Sequence, residues 1–250
     1  MLGKNLQLSQ FVSDPNITTM NFLGLGPVGS IHVDSLLLSW VSMGAILLGA
    51  FMITRNLTAS GAGGKGQAIA EMIYGALRDL CHAQIGHRYK PYVPLITAMF
   101  LFILVGNFVG VGPWLFMEHH VPGWPKLPDG EAFELASPTT DFNITVALAL
   151  TALVVYIASG FWVHGASYTK HIAFNPIEWL DLIIRPSTLA IRLMVVITAD
   201  ELMRGAFIMM MPVLLPSGIM AFELFVGVIQ AFVFALLTSI YIGLTVAEHH

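Results

Sequence analysis

The chain is expected to be an all-α polytopic membrane protein, with five membrane helices plus a surface amphipathic helix, the last two membrane helices forming a long tilted hairpin. Three observations predict this. Of 250 residues, 56% are hydrophobic and only 10% are charged, whereas a soluble domain carries about 25% charged residues. The mean hydropathy is +0.77. The apolar residues also fall into stretches of about 20, the length one helix needs to cross the hydrocarbon core. The net charge of −4 says little, because the charges cluster in a few segments. A single cysteine, Cys81, excludes an internal disulfide, and the nine histidines show no Cys/His zinc spacing.

The elements follow in order within one membrane domain, 1–250. Residues 1–34 hold one lysine and neither a continuous apolar core nor a small-residue cleavage site, so they read as a mature tail rather than a leader. Residues 35–53 form the first span, closed by Thr54-Arg55-Asn56. After the glycine-rich turn Gly61 to Lys65, residues 67–85 mix Ile69, Met72, Ile73 and Leu77 with Glu71, Arg78 and Asp79. That mixture predicts an amphipathic helix lying along the membrane surface. Residues 92–116 and 142–163 are the second and third spans. Between them Met117 to Asp141 is polar and acidic with four prolines, which makes an aqueous loop.

Residues 186–246 form the hairpin, with helices from Pro186 to Met211 and from Ile219 to Val246 parted by Pro212 and Pro216-Ser-Gly218. Pro186 suits a first helical position, while Pro216 and Gly218 suit a turn. The second helix would be about 42 Å long against a slab of about 30 Å, so it must tilt or protrude. No internal repeat is present, which weighs against an inverted-repeat transporter. Loop charges orient the chain. Arg55, Lys65, Arg78, Arg88 and Lys90 lie between the first two spans, whereas Lys126 stands alone among Glu118, Asp129, Glu131 and Glu134 in the next loop. The first loop is therefore cytoplasmic, the N-terminus outside and the C-terminus inside. Lys170 and Arg185 then also fall on the cytoplasmic side.

Ionisable residues are dense in the hairpin: Arg192, Asp200, Glu201, Arg204 and Glu223, with Gln230 as the notable amide. Such groups in a span commonly face water or one another and mark an ion path. Arg192 sits in Ile191-Arg-Leu-Met-Val-Val-Ile197 with no acid within one helical turn. Holding a cation at that depth costs about 2.5–3.5 kcal/mol, so its counter-charge must come from another helix or another protein. Asp200 and Glu201 precede Arg204 by ion-pairing intervals, yet two acids share one base, which leaves a carboxyl that could carry a proton. Glu201 lies about 13.5 Å along the axis from Arg192 and about 180° around it, so the two serve different faces. Glu223 and Gln230, seven apart, share a face and could line one groove, although Glu223 could equally be solvated just past the Pro216 turn. Asn107, in Leu104-Val-Gly-Asn-Phe-Val-Gly110, could line a path or simply hydrogen-bond a neighbouring helix.

These residues resemble a known family. Ala190-Ile-Arg-Leu193, Ala199-Asp-Glu-Leu202, the run Ile229-Gln-Ala-Phe-Val-Phe-Ala-Leu-Leu-Thr-Ser-Ile-Tyr241 and the Glu-His-His tail are similar to subunit a of F-type ATP synthases. The likeness extends back through Pro176-Ile-Glu-Trp-Leu-Asp181, Ser137-Pro-Thr-Thr-Asp-Phe-Asn143 and Asn107. The resemblance implies a stator subunit in an energy-transducing membrane, the bacterial inner membrane. Its implied partners are a rotating c-ring of small hydrophobic subunits, peripheral stalk b subunits and, indirectly, soluble nucleotide-binding subunits. It assigns Arg192 as the arginine facing the ring carboxylate between two offset aqueous half-channels. Glu201, Gln230 and Asn107 match polar residues of that path, and Asp200 and Glu223 occupy positions that often carry a polar or titratable group. One departure is plain: where the family usually reads Phe-Gly-Asn after Arg-Leu, this chain reads Met194-Val195-Val196, and Asp200 is a candidate substitute for the missing asparagine.

No Gly-x-x-x-x-Gly-Lys-Ser/Thr phosphate loop occurs, so nucleotide chemistry belongs to partners and the chain has no catalytic site of its own. No cofactor, metal or nucleic acid is expected. A self-contained proton-coupled antiporter is the alternative, and it would need discontinuous helices around a midplane site enclosed by this chain alone. A haem- or metal-bearing redox subunit would need paired histidines at matched depth within spans, and none is present.

Overall fold

The computed structural model describes residues 33–55, 57, 64–111, 137–164, 184–196, 199, 202–203 and 214–246. Six α-helices and no strand occur among the described residues: α1 Val33–Arg55, α2 Lys65–Ile85, α3 Val93–Gly110, α4 Phe142–His164, α5 over 184–196 and α6 Leu214–Val246. Short 3-10 turns, Gly86–Arg88 and Pro138–Thr140, precede α3 and α4.

Each boundary has a local cause. Gly86 ends α2 with a φ of +75°, a backbone state that only glycine adopts without a steric penalty. Pro94 stands in the first turn of α3, where its missing N–H removes no helical bond. Asp141 caps α4: its Oδ1 accepts from the Asn143 N–H at 2.9 Å, and its carbonyl accepts from the Thr145 N–H at 3.1 Å, which satisfies donors that a helix start otherwise leaves open.

Four helices among the described residues are long and apolar enough to cross a membrane, lying in α1, α3, α4 and α6. Of the fifth expected span, residues 184–196 are helical, as are Ala199, Leu202 and Met203. Pro216 and Gly218, expected to form the hairpin turn, instead lie inside α6, which starts at Leu214 and runs for 33 residues. Physically, Pro216 occupies the third helical position, where the first-turn N–H groups have no intrahelical acceptor to lose. The residues that precede Leu214, 204–213, lie outside the described residues. At about 1.5 Å per residue α6 is about 50 Å long, which sharpens the need for tilt or protrusion.

α6 is the axis of packing. It lies most extensively against α3, then α2 and α4, while α1 packs on α3 and the Pro138–Thr140 turn. The core joins Leu77 and Cys81 of α2, Ile96 and Ile103 of α3, Ala149 and Ala152 of α4, Leu189 and Leu193 of α5, and Phe234 and Ile242 of α6. Close approach depends on two glycines. A Cβ at Gly110 would collide with Ser137, and one at Gly243 with the Gln84 carbonyl oxygen, so these positions admit the turn before α4 and the end of α2 respectively. Burial in this chain pushes the Cys81 thiol up to about 11. On the exposed side of α2, Arg78 pairs with Asp79 at 3.0 Å, and that hydrogen bond raises the guanidinium further above its ordinary value.

Candidate functional site

One polar cluster forms where α3 meets α6. On α6, Glu223, Gly227, Gln230 and Phe234 recur at intervals of three and four residues and so lie on one face, all of them buried. Glu223 is 4% exposed and Gln230 is 5% exposed. Asn107 of α3 faces this stripe at 3% exposure. Its Nδ2 donates to the Gly227 carbonyl at 3.2 Å, and its Oδ1 accepts from Thr139 Oγ1 at 2.6 Å. Ser137 Oγ lies 2.8 Å from Thr139 Oγ1 and 3.3 Å from the Gly106 carbonyl, with one hydrogen to give to either. Gly227 permits the contact, since a Cβ there would stand 3.1 Å from Asn107 Cβ.

These facts bear on two residues of the cluster. Asn107 does hydrogen-bond a neighbouring helix, through both ends of its carboxamide. Glu223 is not a solvated residue beyond a turn: α6 begins nine residues earlier, which carries the side chain more than two helical turns in and onto the packed face. Gln230 Nε2 is buried and has no hydrogen-bond partner among the described residues. A buried amide without a partner is costly, so this face offers a polar atom suited to water or to a passing polar group.

Arg192 belongs to a different surface. Along α5, Ile184, Thr188, Ile191, Arg192 and Val195 are exposed, whereas Leu189, Ala190 and Leu193 are buried. Arg192 makes no hydrogen bond or ion pair among the described residues. It stands at the edge of an apolar exposed stripe, with Ile191 55% and Val195 54% exposed. Asp200, Glu201 and Arg204 lie outside the described residues, so their pairing is not part of this geometry.

A second arginine, Arg185, carries only an orientation role in the sequence. The Arg185 guanidinium carbon lies 5.1 Å from the ring centroid of Tyr156 and 5.4 Å from that of Tyr241, which ties the start of α5 to α4 and α6 by cation–π contact. Ser159 and Thr245, one turn beyond those tyrosines, bring their hydroxyls to 3.1 Å across the same α4–α6 seam. Thr139 and Ser137 likewise carry no individual site signal in the sequence. In the sequence Ser137-Pro-Thr-Thr stands at the end of the acidic loop, and nothing local in it points from Ser137 31 residues back to Gly106 or from Thr139 32 back to Asn107.

Comparison with known proteins gives two findings. The family described as "ATP synthase A chain" matches residues 36–243. The chain is 40% identical over 230 residues to "ATP synthase subunit a" of Gloeobacter violaceus (strain ATCC 29082 / PCC 7421), covering 90% of this chain and 88% of that relative.

Proposed function

The chain belongs to the ATP synthase A chain family, whose function is proton transport, and from that premise we propose that it forms the stationary wall of a rotary proton path in which Arg192 meets carboxylates carried past it by a c-ring. The observation that carries this reading is the exposed position of Arg192 on an apolar helix face, without a hydrogen bond or ion pair among the described residues. At hydrocarbon depth a guanidinium needs a counter-charge. A carboxylate delivered by a neighbouring subunit supplies one, and the cation in turn favours the ionised form of that acid. The pairing must be transient, because a permanent buried ion pair would stop rotation.

Two offset half-channels then load and unload the ring. In this reading Asn107, Glu223 and Gln230 line one of them, while Asp200, Glu201 and Arg204, which follow Arg192 in the sequence, serve the other. A protonated ring site is neutral and can turn through lipid, but it cannot slip directly between half-channels past a fixed positive charge. Each proton crossing 100 mV carries about 2.3 kcal/mol, so several crossings drive one bond synthesis in the soluble nucleotide-binding subunits, with peripheral stalk b subunits holding the stator. The loop charges orient the chain with its N-terminus outside and its C-terminus in the cytoplasm, in a bacterial inner membrane.

A self-contained antiporter would enclose its arginine among its own helices. The outward position of Arg192 favours the partner-dependent mechanism. The test is Arg192→Ala in the assembled complex: proton-driven ATP synthesis is abolished while the complex still assembles. Coupled synthesis that survives the substitution refutes the role given to Arg192.

A further inference from the structure

We infer that Arg185 is a positioning residue which sets the axial rotation of α5 and thereby the direction in which Arg192 points. This rests on the role proposed above for Arg192, and it begins from a weakness in how α5 is held. Its buried stripe, Leu189, Ala190 and Leu193, is apolar, but so is much of its exposed side, where Ile184, Ile191 and Val195 stand beside Thr188 and Arg192. In lipid, apolar side chains gain no hydrophobic preference for a protein interior. A full exchange of the two stripes needs about half a turn, but even a rotation by one residue, about 100°, would alter the transfer cost of the apolar residues little and would carry Arg192 off its present edge. Some directional contact must therefore select the rotation.

The Arg185 clasp is suited to that task. Its guanidinium is held by two rings from two different helices, 5.1 Å from Tyr156 of α4 and 5.4 Å from Tyr241 of α6, so rotating α5 in either direction moves it off at least one of them. Ala149 and Ala152 of α4 line the same niche, and their small side chains let the start of α5 approach closely. Arg185 and Arg192 are seven residues apart, which at about 100° per residue is only about 20° short of two full turns. The two guanidiniums thus leave the helix at nearly the same azimuth, about 10.5 Å apart along its axis. Helical residues 184–196 join them without a break. One arginine turned inward to two tyrosines holds the other at the edge of the exposed stripe.

The test uses the whole ATP synthase carrying variants of this chain, reconstituted in liposomes, with proton-driven synthesis and passive proton leak both measured per assembled complex. Each cation–π contact is expected to shift the balance between clasped and unclasped α5 by about 2- to 30-fold. Replacing both tyrosines by phenylalanine keeps the rings and leaves synthesis within about twofold of the parent. Tyr156→Leu with Tyr241→Leu removes both rings, lowers synthesis by about tenfold or more and raises the leak, since a turned-away Arg192 no longer blocks slippage. A contact that served only folding would lower the amount of complex without raising leak per complex. Should the double leucine variant fail to assemble, Arg185→Lys carries the same test, because it keeps the charge but loses the planar group that stacks. Native coupling and native leak in the leucine pair, or in Arg185→Lys where that is the variant measured, overturn the inference. Arg192→Ala, run in parallel, separates the two claims: if it retains coupling, the proposed function falls, and if it alone loses coupling, only the clasp falls.

Discussion

The joint between Asn107 and Thr139 gives a quantity that can be worked from the structure. Asn107 is 3% exposed and makes two bonds, to the Gly227 carbonyl at 3.2 Å and from Thr139 Oγ1 at 2.6 Å. Each such bond contributes about 0.5–1.5 kcal/mol net, so Asn107→Ala should destabilise the packed helices by about 1–3 kcal/mol. The lower half of that range is favoured, because the partners are not stranded: Thr139 keeps Ser137 at 2.8 Å, and Gly227 stays within the helical ladder of α6. Thr139→Val preserves shape while deleting the donor. Combined in a double-mutant cycle, the two substitutions should show a coupling of about 0.6 kcal/mol, with about 1.7 as the ceiling known for interhelical bonds in a bilayer. The assay is reversible unfolding of the purified chain in bicelles, comparing parent, single and double variants. A coupling indistinguishable from zero, with Asn107→Ala costing under about 0.5 kcal/mol, would refute the claim that this bond joins α3, α6 and the turn before α4.

Other outcomes follow from the same geometry. Gly227→Ala places a methyl 3.1 Å from Asn107 Cβ and 3.3 Å from its Nδ2, and should cost about 1–3 kcal/mol as an overpacked site, read as a lower midpoint of unfolding. Gly110→Ala meets the Ser137 Cα at 2.6 Å; backbone cannot swing aside, so the yield of folded chain should fall further than for Gly227→Ala, and an equal yield would contradict the packing. Glu223→Gln keeps size while removing a titratable site, and passive proton conduction through membranes stripped of the soluble subunits should slow; unchanged conduction would make Glu223 structural. The Cys81 thiol is raised from 9.0 to about 11 by burial. Its contribution to stability is therefore undiminished below about pH 9 and is lost as pH rises from there through about 11. Maleimide should accordingly label it slowly in the native complex at pH 8 and rapidly after denaturation, and fast native labelling would contradict its burial.

Much of this architecture is legible in one dimension because hydrocarbon imposes it. Apolar runs of sufficient length must be helical so that every backbone N–H and C=O is satisfied internally, which is why α1, α3 and α4 lie close to the segments expected from hydropathy. The error at the start of α6 has an equally specific source. Proline and glycine usually punctuate chains, yet proline in the first helical turn sacrifices no bond, so Pro216-Ser-Gly218 carries the same local signal whether it ends a turn or begins a helix. Arg185 shows a different blind spot, since a basic residue near a span end reads as topology until two tyrosines, 29 residues before it and 56 after it, are brought to its guanidinium.

Sequence alone determined that the chain is helical and membrane-embedded, that Arg192 has no acid within a turn, and that Glu223 and Gln230 share a face, because each follows from composition or from the helical period within a single segment. Only the tertiary structure decided that Asn107 spends both ends of its amide on Gly227 and Thr139, that Glu223 is buried, and that Arg192 stands on an exposed stripe while Arg185 is drawn inward. The division is physical. Helical periodicity says which residues share a face, but in lipid both faces of a helix are apolar, so which of them turns inward is selected by contacts between helices that lie far apart along the chain.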